Sequence, residues 1–93
     1  MRIVWTRNAL RHLADIQTYI ERDKPQAARK VAAAISKAVA CLAQYPHLGR
    51  PGRKAGTREL VIADTPYVVP YQVRDDHLII LAVLHGAQCL PED

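Results

Sequence analysis

Gly49-Arg50-Pro51-Gly52-Arg53-Lys54-Ala55-Gly56-Thr57-Arg58 divides this chain of 93 residues into two parts with different periods. Before it, apolar residues recur at helical spacing; after it, they alternate. Ala9, Leu13, Ile16 and Ile20 are spaced four, three and four apart and predict one helical stripe, with Leu10 and Tyr19 widening it. Thr6 offers a hydroxyl to cap that helix, which should end near Asp23. A second helix follows at once. Asp23 and Gln26 are spaced for a capping box, and Pro25 falls in the first turn, where its missing N–H costs nothing. Ala28, Val31, Ile35, Val39 and Leu42 form its stripe, and Pro46 stops it. Its many alanines favour helix and permit close approach, so the two helices should pack as an antiparallel hairpin.

On the other side of the loop, Glu59-Leu60-Val61-Ile62 reads as a strand. Tyr67, Val69, Tyr71 and Val73 alternate with Val68, Pro70, Gln72 and Arg74, and Asp75-Asp76 fits a two-residue turn. Leu78 to Leu84 is apolar on both parities, as a central strand is. Arg2 to Trp5 is a further short β-prone run whose place in the sheet is open. The expected fold is α+β: an N-terminal strand, an antiparallel helix hairpin, then a three-stranded antiparallel meander, all in a single domain over residues 1–93. Pro70 has no N–H for a ladder and sits mid-strand, which predicts a bulge or an outward-facing ladder position.

The same loop carries the charge. It holds four of the 13 Lys+Arg residues (Arg50, Arg53, Lys54, Arg58) and none of the 9 Asp+Glu, so the remainder is balanced and the net +4 sits here. Such a loop suits an anionic partner, whether phosphates or an acidic chain. Composition is ordinary for a globular protein, 49% hydrophobic and 24% charged. A chain of this size buries only about 60% of its unfolded surface, so its stability should be modest unless a partner adds to it. No run is long enough to span a bilayer, and Met1-Arg2-Ile3-Val4-Trp5-Thr6 lacks the apolar core of a signal peptide, so the expected location is the cytoplasm. Cys41 and Cys89 suggest two reduced thiols rather than a disulfide framework. His12, His47, His77 and His85 show no metal-ligand spacing, and neither a metal nor another cofactor is expected.

Several blocks, in order and spacing, resemble the RelE/ParE toxins of bacterial type II toxin–antitoxin pairs. They are Trp5-Thr6, Pro25-Gln26-Ala27-Ala28, Leu48-Gly49-Arg50-Pro51-Gly52-Arg53, Gly56-Thr57-Arg58-Glu59-Leu60, Pro66-Tyr67-Val68-Val69 with Tyr71, and Ile80-Leu81-Ala82-Val83-Leu84-His85-Gly86. The resemblance runs nearly end to end, with the ParE-like branch favoured. It implies a compact α+β toxin and a cognate antitoxin whose extended or helical segment wraps it. It also implies that DNA is met only indirectly, through that antitoxin. Two activities occur in the family: poisoning of DNA gyrase, and ribosome-dependent mRNA cleavage of the RelE type.

Fold does not choose between them; site residues must. RNA cleavage through the 2′-hydroxyl needs a base, an acid and cations around the phosphorane. Arg58, at the entry to a strand, is the best-placed cation, although a salt bridge to a carboxylate or to the antitoxin is equally consistent with it. Arg50, Arg53 and Lys54 are further anion- or partner-binding candidates, with Arg50 and Arg53 expected as flexible surface charges. His85, at a strand end, suits acid–base work and matches a histidine seen in ParE-like and some ribonuclease members; a hydrogen-bonded structural role is the simpler reading. His47 suits a helix cap or the loop lining. Glu59 is a further candidate base, though solvation is the usual fate of a strand-end glutamate. The resemblance implies that ribonuclease members carry further arginines or lysines near the last strand and a tyrosine in the tail; here Ala82 stands where many relatives have arginine, Gln88 and Leu90 stand where the His-Gly-Ala-Arg form has arginine and often tryptophan, and no tyrosine follows Tyr71. Arg58 and His85 are therefore catalytic candidates only if the protein is a nuclease, and whether it is an enzyme stays open. The expected function is a gyrase-poisoning toxin neutralised by its antitoxin; the alternative is a RelE-like endonuclease acting on mRNA at the ribosome. A third possibility is a decayed toxin that retains antitoxin binding.

Overall fold

The computed structural model describes residues 1–86. Cys89, Gln88 and Leu90 lie outside the described residues. Its elements are β1 (Arg2–Trp5), α1 (Arg7–Glu21), α2 (Pro25–Cys41), β2 (Arg50–Pro51), β3 (Arg58–Val61), β4 (Tyr67–Arg74), β5 (His77–Ile80) and β6 (Leu84–His85). The sheet order is β1-β5-β4-β3-β2, with β6 paired to β4; β1 runs parallel to β5 and the other pairs are antiparallel. The expected α+β order holds. The meander gains β2 from within the basic loop, and the N-terminal strand joins the far edge beside β5.

Thr6 starts α1 as expected, its Oγ1 accepting from the Ala9 N–H at 3.1 Å. The same hydroxyl donates to the Ile80 carbonyl at 2.8 Å, tying the helix start to the end of β5. The capping box before α2 does not form. Lys24 is the N-cap residue and makes no side-chain cap bond. The cause is the tightness of the turn: the Asp23 and Lys24 N–H groups both bond the Ile20 carbonyl, at 3.2 and 2.8 Å. Asp23 is thus part of the turn closing α1, and Pro25 opens α2.

Ala9, Leu13, Ile16 and Ile20 face inward, but Leu10 and Tyr19 do not widen the stripe; they are 53% and 74% exposed. At 100° per residue both lie about 80–100° around the helix from the stripe, on its flanks. Both helices cover one face of the sheet. Trp5, Leu60, Ile62, Tyr67, Val69, Tyr71, Leu78 and Ile80 belong to that face and pack against Ile35, Val39 and Leu42 of α2 and its cap. The opposite parity, including Val4, Glu59, Val61, Val68, Pro70 and Arg74, forms a face that no helix covers.

The irregularity foreseen at Pro70 falls on its neighbour. Tyr71 is opposite Ile80 and Val68 is opposite Leu84, so residues 69–70 of β4 face residues 81–83. That one extra residue is a bulge, and it splits the last strand into β5 and β6. The Pro70 carbonyl accepts from the Leu81 N–H at 2.9 Å. A strand residue turns its N–H and C=O to the same side, so the absent N–H of Pro70 faces the bulge, where a ladder bond is not needed.

Candidate functional site

The basic loop is a folded hairpin held from both faces of the sheet. On the helix side, the fully buried Tyr71 reaches under its start: the phenol oxygen accepts from the Gly49 N–H and donates to the Pro46 carbonyl, both at 2.8 Å. Only glycine fits there, because a Cβ on residue 49 would lie 2.7 Å from the Tyr71 ring and hydroxyl. Arg58, also on the helix side, donates through Nη1 to the Gly49 carbonyl at 2.7 Å and to the His47 carbonyl at 3.3 Å. Its recorded partners are thus main-chain carbonyls rather than a carboxylate, and it straps the start of the loop to β3.

On the uncovered face, Glu59 is the one buried charged side chain among the described residues, 6% exposed. This departs from the solvated glutamate expected at a strand end. Glu59 is directly opposite Arg50 in the β2–β3 ladder, and the Arg50 guanidinium contacts its Oε1 at 3.3 Å. Its Oε2 accepts from the Arg53 N–H at 3.4 Å. The tip closes on itself: the Gly52 N–H donates to the Thr57 carbonyl at 2.8 Å, and the Thr57 hydroxyl to the Lys54 carbonyl at 2.7 Å. Gly56 makes this possible with φ +81°, a left-handed conformation natural to glycine. Arg50, Arg53 and Lys54 project outward as exposed cations from a fixed frame.

Arg50, Arg53, Glu59 and His85 border one shallow depression, floored by Val68, Pro70 and Leu84. Arg58 lines a different one with Pro51, Gly56, Thr57 and Val73. Arg58 is opposite Tyr71 and His85 is opposite Tyr67, on the two flanks of β4. Standard strand spacings put their Cα atoms about 16 Å apart. The two catalytic candidates line separate depressions. His85 instead packs edge-on against the Tyr67 ring, centroids 5.8 Å apart. Ala82 is buried at the bulge.

A second groove runs between α1 and the β6 end of the sheet. Ile16, Tyr19, Pro66, Tyr67, Val83 and Leu84 give it an apolar lining, and His12, Asp15 and His85 contribute polar groups. His12 Nδ1 accepts the Val83 N–H at 3.2 Å, a bond that satisfies the bulge and requires the proton on Nε2. Sequence reasoning passed over both Tyr71 and His12. Their partners, Gly49 and Val83, are 22 and 71 residues away.

This arrangement of strand, helix pair, cation-bearing hairpin and bulged last strand has known counterparts. The sequence matches the family model for the ParE toxin of type II toxin–antitoxin systems, parDE, over residues 3–89. The chain belongs to the ParE toxin family. This ParE-family chain is 53% identical over 91 residues to the candidate toxin Y4kP of Sinorhizobium fredii, covering 98% of this chain and 94% of that one. It is 40% identical over 86 residues to the toxin RelE2 of Caulobacter vibrioides, covering 92% and 96%. A solved chain of the chromosomal ParDE toxin–antitoxin system from P. aeruginosa superposes with a TM-score of 0.81 at 28% identity, covering 89% of this ParE-family chain and 92% of the other.

Proposed function

We propose that this ParE-family toxin arrests growth by binding and poisoning DNA gyrase in the cytoplasm, and that a cognate antitoxin silences it. One observation carries the reading: the cations are displayed on a stiff hairpin, while Arg58 and His85 lie on opposite flanks of β4. Inhibition by binding needs such a surface and no catalytic constellation. The hairpin takes acidic side chains of a partner, and the groove beside α1 takes the apolar anchors of an antitoxin segment. DNA enters indirectly, through the antitoxin of the pair. Among the described residues, no helix is long and apolar enough to cross a membrane.

The depression shared by Arg50, Arg53, Glu59 and His85 favours one second reading, a RelE-like endonuclease acting on mRNA at the ribosome. Purified protein added to a gyrase supercoiling assay separates the two. Stalled gyrase–DNA cleavage complexes, with filamentous cells on induction, are the expected result. Cleaved transcripts on ribosomes with gyrase unaffected would replace the gyrase reading by the nuclease one. Neither effect would leave a decayed toxin that keeps only its antitoxin contact.

A further inference from the structure

We propose that Glu59 is a positioning residue for the basic hairpin: its buried carboxylate orders Arg50 and the Arg53 main chain before any partner arrives. The inference rests on the reading that this hairpin is the partner contact.

A carboxylate here is costly on two counts. Burying an ion is unfavourable unless its partners replace water. It also removes one negative-seeking unit of charge from a surface suited to anions. The fold itself does not call for it, since the floor around it is Val68, Pro70 and Leu84, where an aliphatic side chain would pack. What the carboxylate does supply is two attachments. Oε1 takes the Arg50 guanidinium from β2, and Oε2 takes the Arg53 N–H from the turn. These contacts lie on either side of Pro51-Gly52, so they fix the direction in which the chain leaves β2. Tyr71 and Arg58 fix the preceding residues from the other face. A contact surface ordered in advance loses less conformational freedom on binding.

Positioning and simple electrostatics predict opposite signs. Glu59→Gln removes one negative charge, taking the formal net charge from +4 to +5. Electrostatics alone makes such a toxin more potent toward an anionic partner. Positioning makes it weaker, because Arg50 loses its counter-ion and the hairpin loosens.

The test compares growth arrest at matched expression for the parent, Glu59→Gln, Arg50→Ala/Arg53→Ala and the triple variant, with folding followed by thermal melting. Glu59→Gln should need about three- to tenfold more protein for half-maximal arrest. It should cost less in the Arg50→Ala/Arg53→Ala background, because the two side chains it places are gone there while the residue-53 N–H contact remains. In purified toxin, the Arg53 amide should exchange hydrogen faster in Glu59→Gln than in the parent. Equal or greater potency of Glu59→Gln, an unchanged Arg53 exchange rate, or an equal loss in both backgrounds overturns the positioning role. Full potency of Arg50→Ala/Arg53→Ala instead overturns the hairpin as partner contact, and the positioning role with it. If Glu59→Gln does not fold, Glu59→Asp replaces it. That variant keeps the charge but is a methylene too short to span both donors, so parental potency in Glu59→Asp also overturns the proposal.

Discussion

Tyr71 and Gly49 form a lock in which each residue is required by the other. The Gly49 N–H donates to the Tyr71 hydroxyl at 2.8 Å, and the space a Cβ would need at residue 49 is filled by the same phenol. Tyr71 lies in the middle strand of the sheet and is fully buried, so the lock ties the hairpin's start to the core.

Tyr71→Phe leaves the Gly49 N–H and the Pro46 carbonyl without their shared partner. The loss should be about 1–3 kcal/mol in chemical denaturation, since buried polar groups would stay unsatisfied. Gly49→Ala should also cost about 1–3 kcal/mol, because the new methyl group must displace a packed ring and the Glu59 carbonyl. The two losses should not add, as removing the hydroxyl relieves part of the clash. Additive losses would mean the residues act independently.

Thr6 joins two elements with one hydroxyl, capping α1 and donating to the carbonyl of Ile80. Thr6→Ala should destabilise the fold by about 1–2 kcal/mol, and Thr6→Ser should recover most of that. Urea denaturation of the two variants checks this; equal losses would place the role of Thr6 in its methyl group rather than its hydroxyl.

Both helical stripes were legible because periodicity is local, and Ala9, Leu13, Ile16 and Ile20 all face the core. A bulge was legible as one of two outcomes of the missing N–H of Pro70. Which strand carries it was not, because that depends on the register of β4 against β5 and β6. The Asp23–Gln26 box failed for a related reason: a matching spacing does not reveal that the turn after α1 already uses the Asp23 N–H. At the site, charge counting found Arg50, Arg53, Lys54 and Arg58. It read Arg50 and Arg53 as flexible surface charges, because the contacts that order their backbone join residues far apart in sequence or across a ladder. Glu59 is the instructive case. The first acid after the cations looked like a solvated strand-end residue, yet its register opposite Arg50 makes it the floor of the hairpin.

The separation of Arg58 from His85 gives the last prediction. Arg58 bonds two main-chain carbonyls, so Arg58→Ala should lower stability by about 1–2 kcal/mol. Under gyrase poisoning, a His85→Ala protein that melts like the parent should arrest growth at a dose within about threefold of it, since binding asks for no acid–base step at this residue. Arg58→Ala should lose potency only as far as its hairpin loosens, and conditions that restore folding should restore arrest. Chemistry at His85 predicts a different size of effect, because removing a general acid or base typically costs about 10²–10⁴-fold in rate. Dose–response curves for the two variants, with melting curves alongside, decide between them. A well-folded His85→Ala protein that no longer arrests growth would sink the binding mechanism and turn attention to the depression it shares with Arg50 and Arg53.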